Sequence, residues 1–161
     1  MQKSSLINLL IILSLAGILT SSYLAKLHYS PNPEAFCNLS STINCDIVNQ
    51  SSYALFPPEY GVPVALLGLL NFLILLLAAL LLKSGKTFSL FKEPIDSIVL
   101  TEFIYYVLLA NLLFAFYLIF IEVFILYAFC IFCVLLDIII FLSLFFAYKL
   151  KKSIAMESKS N

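Results

Sequence analysis

Arginine is absent from this sequence, and charge of either sign is scarce. Charged residues make up 11%, and nine basic residues, all lysines, balance nine acidic ones. Soluble domains carry about 25% charged residues, so a chain that is 63% hydrophobic cannot solvate its own surface and calls for a lipid bilayer around it. With no guanidinium fork for bidentate contact to phosphate and no net positive charge, nucleic acid is not expected as a partner. Histidine occurs once, at His28, and cysteine only four times. No internal repeat or low-complexity tract is present beyond the apolar runs.

A membrane span needs about 20 predominantly apolar residues. Four stretches qualify: 5–24, 62–82, 98–121 and 128–148. The first resembles a signal peptide, with Lys3 ahead of an apolar run. The run is longer than the usual h-region of about 7–15 residues and no small-x-small cleavage site follows, so it reads as a retained helix. The last two stretches form one nearly continuous apolar block broken around Glu122, too long for a single crossing. The expected fold is all-α, a four-helix bundle in a single membrane domain over 1–161, with an outer loop at 25–61, an inner loop at 83–97, a short outer turn at 122–127 and a tail at 149–161 that reads as a solvated end.

Lysines orient the bundle. Lys3, Lys83, Lys86, Lys92, Lys149, Lys151, Lys152 and Lys159 fall at one face and Lys26 alone at the other, so the positive-inside rule places both termini in the cytoplasm. The outer loop, with four of the six prolines and His28, and all four cysteines then lie on the extracytoplasmic side.

Two cysteine pairs on an oxidising face suit structural disulfides, a metal site or a redox relay. Cys130 and Cys133 lie at i and i+3 near the first turn of the fourth span, where the helix dipole favours a thiolate. As a staple this pair would close too short a loop to restrain the unfolded chain much; as a redox pair it can cycle within one turn. Zinc requires a second ligand knuckle, and Cys37 and Cys45, in "CNLSSTINC", are too far apart to supply one, so no metal is expected. Taken alone, the outer pair fits a loop-closing disulfide as well as a mobile shuttle that passes electrons by thiolate attack. His28 reads as a solvated loop residue. The sequons at Asn38 and Asn49 are three-residue matches of low specificity.

The outer "CNLSSTINC", the following "DIVNQSSYALF" with Ser51 and Ser52, the "GVPVALLG" opening the second span and the "YAFCIFC" opening the fourth together resemble the vitamin K epoxide reductase family, in its bacterial form. The match in element order runs from about Phe36 to Asp137. The other four-helix disulfide catalyst, the DsbB type, carries its C-x-x-C early and its spaced pair late, the reverse of the order here.

The resemblance implies a bundle around a quinone, ubiquinone or menaquinone, with Cys130 and Cys133 as the active-site pair and Cys37 and Cys45 as the shuttle pair. It implies that Cys133 lies nearer the quinone ring and that Cys130 exchanges with a loop cysteine, for which Cys45 is favoured by its closeness to the lid. Ser51 matches the family's serine beyond the second loop cysteine. The segment "IVNQSSYALF" is expected to form a short capping helix over the bundle mouth, with an ordinary surface loop as the alternative. Where animal members place an asparagine and a tyrosine on the quinone oxygens, this chain has Val64 and Asp137, which favours plain quinone reduction over reduction of vitamin K epoxide. No thioredoxin-like domain is fused, so the implied dithiol donor is a separate periplasmic thioredoxin-like, DsbA-like protein, and the implied setting is a bacterial cytoplasmic (inner) membrane.

Asp137 is one turn beyond Cys133 on the same helix face, on the order of 14 Å below the outer helix end. Asn71 and Asn111 fall at similar depth by the same counting. An acid costs about 2.5–3.5 kcal/mol at the centre of a span. Proton donation to a quinone, or a grip on its oxygen, is one reading of Asp137. The other is that Asp137, Asn71 and Asn111 only hydrogen-bond the helices together, at about 0.6 kcal/mol per contact. The expected activity is a membrane thiol:quinone oxidoreductase supporting disulfide formation; a vitamin K epoxide reductase on the same cysteines, and a non-catalytic scaffold braced by two static disulfides, are the rivals.

Overall fold

The computed structural model describes residues 2–30, 37–84, 88–90, 93–95 and 97–160. Pro31, Pro33 and Phe36 of the outer loop, and Lys86 and Lys92 of the inner one, lie outside the described residues, as does the side chain of Lys159.

Four long helices carry the chain: α1 (Lys3–His28), α3 (Val64–Ser84), α4 (Ser97–Ile121) and α5 (Ile131–Ser160), with the short α2 (Cys45–Asn49) between the first two. All four long ones, α4 together with a π-helical turn at Glu122–Leu126, are long and apolar enough to cross a membrane. Helix α1 packs on α3 and α5, and α4 packs on α5 and α3, which closes a four-helix ring. The protein is an all-α, multi-pass membrane bundle. Its lipid face is as apolar as its core, because lipid, unlike water, does not demand a polar surface: Leu19 is 72% exposed and Leu113 65%.

The helix ends differ from the sequence expectation for local reasons. The second long helix starts at Val64 rather than at 62 because Val62–Pro63 (β2) pairs antiparallel with Leu55–Phe56 (β1), and Pro63 has no N–H to give a helix. A second small hairpin, Phe88–Leu90 (β3) with Glu93–Ile95 (β4), lies between α3 and α4. The fourth long helix starts at Ile131, not 128, since residues 127–129 spend their backbone groups elsewhere. Tyr127 turns the chain at φ 50°, and the N–H groups of Tyr127 and Ala128 both reach the Glu122 carbonyl. That helix also outruns the expected span. Leu150 and Ile154 are buried, continuing the inward stripe of Ala147, so the start of the tail packs into the bundle instead of ending in solvent. Near that end Lys151 pairs with Glu102 at 3.2 Å.

Small residues let α1 and α3 approach. A Cβ on Gly17 would sit 2.5 Å from the Phe72 ring, and one on Gly68 would be 3.2 Å from Ser21 Oγ. Such contacts are how helices associate where no hydrophobic drive acts between them. Helix α1, buried at Leu6, Leu10 and Leu24, is thereby a full member of the bundle.

Candidate functional site

Cys37 and Cys45 form a disulfide with their Cα atoms 5.5 Å apart. Asn44 caps α2, its Oδ1 accepting from the Ile47 N–H at 3.0 Å, so Cys45 opens that helix. A parallel bridge between Ile43 and Phe129 ties the loop to the start of α5: the Phe129 N–H donates to Thr42 O at 2.7 Å, and the Asn44 N–H donates to Phe129 O at 3.0 Å. Cys45 follows Asn44, and Cys130 follows Phe129. Both cysteines are buried, with Cys37, in one apolar cluster containing Leu24, Val48 and Ala128, against which Cys133 packs.

Cys130 and Cys133 are free thiols. Cys130 precedes α5 and behaves as its N-cap: its carbonyl accepts from the Val134 N–H at 3.0 Å, and its Sγ accepts from the Cys133 N–H at 3.3 Å, as a serine oxygen would. The two thiols are unequal in access. Cys130 is fully buried beside the loop, whereas Cys133 faces a cavity.

That cavity has a volume of about 340 Å³ and a mostly apolar lining, within the range of small-ligand sites, about 300–1,000 Å³. Ser51, Val64, Asn71, Asn111, Cys133 and Asp137 all line it; Cys37, Cys45 and Cys130 do not. The lid over it is α2 followed by a 3₁₀ turn at Ser52–Ala54, with Tyr53, Ala54 and Phe56 on the wall. The Phe56 ring meets Phe114 of α4 edge-on, with centroids 5.5 Å apart. Ser51 Oγ donates to Val48 O at 2.8 Å, a bond internal to the lid. Asn111 Nδ2 is buried with no hydrogen-bond partner among the described residues. Asp137 lies about 9 Å below the start of α5 at 1.5 Å per residue, shallower than the sequence count because the helix begins later.

Three residues hold places that the sequence reading did not assign to them. Glu122, treated only as a break between spans, is 5% exposed, lines the cavity, and accepts from the Cys130 N–H at 3.2 Å. The intramembrane-acid argument used for Asp137 applies to it equally. Asn49 is buried and donates to Leu24 O at 2.8 Å, which removes its amide from any glycan acceptor role. His28 corrects the expectation of a solvated ring: its Nδ1–H donates to the Asn49 carbonyl at 2.6 Å and so helps pin the lid to the end of α1. No cluster of three or more metal-ligating side chains occurs among the described residues.

The model of the vitamin K epoxide reductase family matches residues 8–148. A comparison with curated proteins finds no significant match. The chain belongs to the vitamin K epoxide reductase family, which is quinone-linked in general, and is a membrane oxidoreductase with cysteines.

Proposed function

We propose that this member of the vitamin K epoxide reductase family is a thiol:quinone oxidoreductase that takes two electrons from a separate periplasmic thioredoxin-like, DsbA-like dithiol protein and passes them through two cysteine pairs to a membrane quinone, ubiquinone or menaquinone. The observation that carries the reading is the split placement of the C-x-x-C: Cys130 is buried in the same apolar cluster as the loop disulfide, and Cys133 opens into the cavity.

The outer disulfide receives the donor's electrons by thiolate attack. Reduced Cys45, held beside Cys130 by the bridge at Ile43 and Phe129, is the loop cysteine placed to attack the oxidised C-x-x-C; Cys133 leaves, and Cys37 then resolves the mixed disulfide. The cavity suits a quinone head-group. Its wall is apolar, and Asn111 Nδ2 is a buried donor that lacks an acceptor among the described residues, a debt of about 1–3 kcal/mol that a carbonyl oxygen would relieve. A quinone bound there supplies the two-electron acceptor. Asn71, Glu122 and Asp137 are further polar groups on the lining, and Ser51 and Val64 shape its mouth and wall. Val64 and Asp137 stand where animal members carry asparagine and tyrosine, which supports quinone over vitamin K epoxide as substrate. The lysine distribution supports cysteines on the outer face, and the setting proposed for them is a bacterial inner membrane.

The test is quinone absorbance on mixing the solubilised protein with a reduced DsbA-like donor and ubiquinone or menaquinone, beside a Cys133→Ala control. Consumption that needs both donor and Cys133 is expected; a flat trace from folded protein with each quinone would overturn the reading.

A further inference from the structure

We propose that Glu122 is the proton acceptor of the Cys130–Cys133 dithiol, taking the Cys133 thiol proton when that sulfur is oxidised and returning it when the sulfur is reduced. The assignment deepens the thiol:quinone reading and rests on it for the cycling of this pair.

Three observations converge on this carboxylate. It is buried. It is anchored to the redox motif, accepting from the Cys130 N–H at 3.2 Å. It shares the cavity lining with Cys133 of α5. The backbone adds a reason for its position: two successive N–H groups, of Tyr127 and Ala128, converge on the Glu122 carbonyl, so the residue is held at the hinge between α4 and the C-x-x-C. The ionisable groups facing this region from the packed elements are Tyr23 of α1, Tyr53 of the lid, the Cys130 thiol just ahead of α5, and Cys133 and Asp137 of α5, while Cys45 of α2 is in its disulfide. No lysine or histidine is among the cavity-lining residues. A carboxylate is therefore the base at hand for a thiol that must lose its proton away from bulk water.

Oxidation of the pair breaks two S–H bonds, forms one S–S bond and releases two electrons and two protons. Glu122 takes the proton of Cys133, and the oxidant takes the electron pair and finally both protons. The experiment uses diamide, an azodicarboxamide that ends as its hydrazine, so the readout is independent of quinone. The reduced full chain is mixed with diamide, quenched with an alkylating agent, and the Cys130–Cys133 disulfide counted by peptide mass across pH 6–8. Glu122→Gln keeps an oxygen for the Cys130 N–H, so the turn stays held, and Glu122→Asp keeps a carboxylate. General-base assistance contributes about 10²–10⁴-fold. We expect Glu122→Gln to slow disulfide formation about 10²-fold at pH 7 and to make the logarithm of the rate climb by about one per pH unit, with a flatter wild-type profile. Glu122→Asp should restore part of both.

A Glu122→Gln protein with the wild-type rate and profile would overturn the assignment, and so would a Glu122→Asp protein as slow as Glu122→Gln. Wild-type protein that reduces no quinone yet shows this dependence on Glu122 would sink the quinone reading and leave the assignment standing.

Discussion

The two ends of the bundle are made of nearly the same amino acids and do opposite things. At the lysine end, Leu10, Leu75, Ile104 and Leu108 interlock, and the gap left between them measures about 10 Å³, room for no more than about one water molecule. At the cysteine end, the same kind of apolar helix surface encloses about 340 Å³. The boundary is Phe72, buried against Gly17 in the tight core and forming part of the cavity lining. An apolar bundle closes or opens according to whether small residues on one helix admit a large one from the next. In this protein the cavity lies where a lid, rather than a helix, forms part of the wall.

The comparison can be broken most completely at the cysteine end. Cys130→Ala is expected to reduce donor-driven quinone consumption to the protein-free background, since the relay has no alternative route. Stopped-flow absorbance reads it, and turnover above about a tenth of wild type would mean that the loop pair bypasses Cys130. At the boundary, Phe72→Ala should join the cavity to the core and cost about 3–5 kcal/mol, measured by denaturant unfolding in mixed micelles. A loss below about 1 kcal/mol would show that this ring does not separate the two ends.

A finer test sharpens the chemistry of the cavity. Asn111→Leu removes the unpaired donor, and the KM for quinone should rise about tenfold with kcat little changed, equivalent to about 1.4 kcal/mol of binding. A KM equal to wild type would assign Asn111 to helix packing alone. The smallest effect is expected at Ser51→Ala, which removes a hydrogen bond internal to the lid and should lower stability by no more than about 1 kcal/mol. A larger loss in the same unfolding assay would make Ser51 a structural support of the cavity mouth.

Much of this was readable from the chain. The four spans follow from run length, and counting 1.5 Å per residue puts Asp137, Asn71 and Asn111 at similar depth. Glu122 was legible by the same rule for intramembrane acids, yet it was absorbed into the turn between two spans. The lid contacts were not legible. His28 to Asn49 and Asn49 to Leu24 join residues more than 20 positions apart, and nothing local distinguishes them from a solvated histidine and a glycosylation sequon. The same holds for the bridge from Ile43 to Phe129, which moves the start of α5 to Ile131.

The sequence by itself determined the class and the chemistry. Apolar run length and scarce charge dictate a four-span bundle, because a bilayer rewards those features directly, and a C-x-x-C with a second pair marks the candidate redox residues. Only the tertiary structure decided that Cys130 faces the loop while Cys133 faces a cavity, and that a second carboxylate stands beside them. Those outcomes depend on a backbone bridge, a π-helical turn and the fit of Phe72 against Gly17, contacts between distant residues whose geometry appears only once the helices have packed.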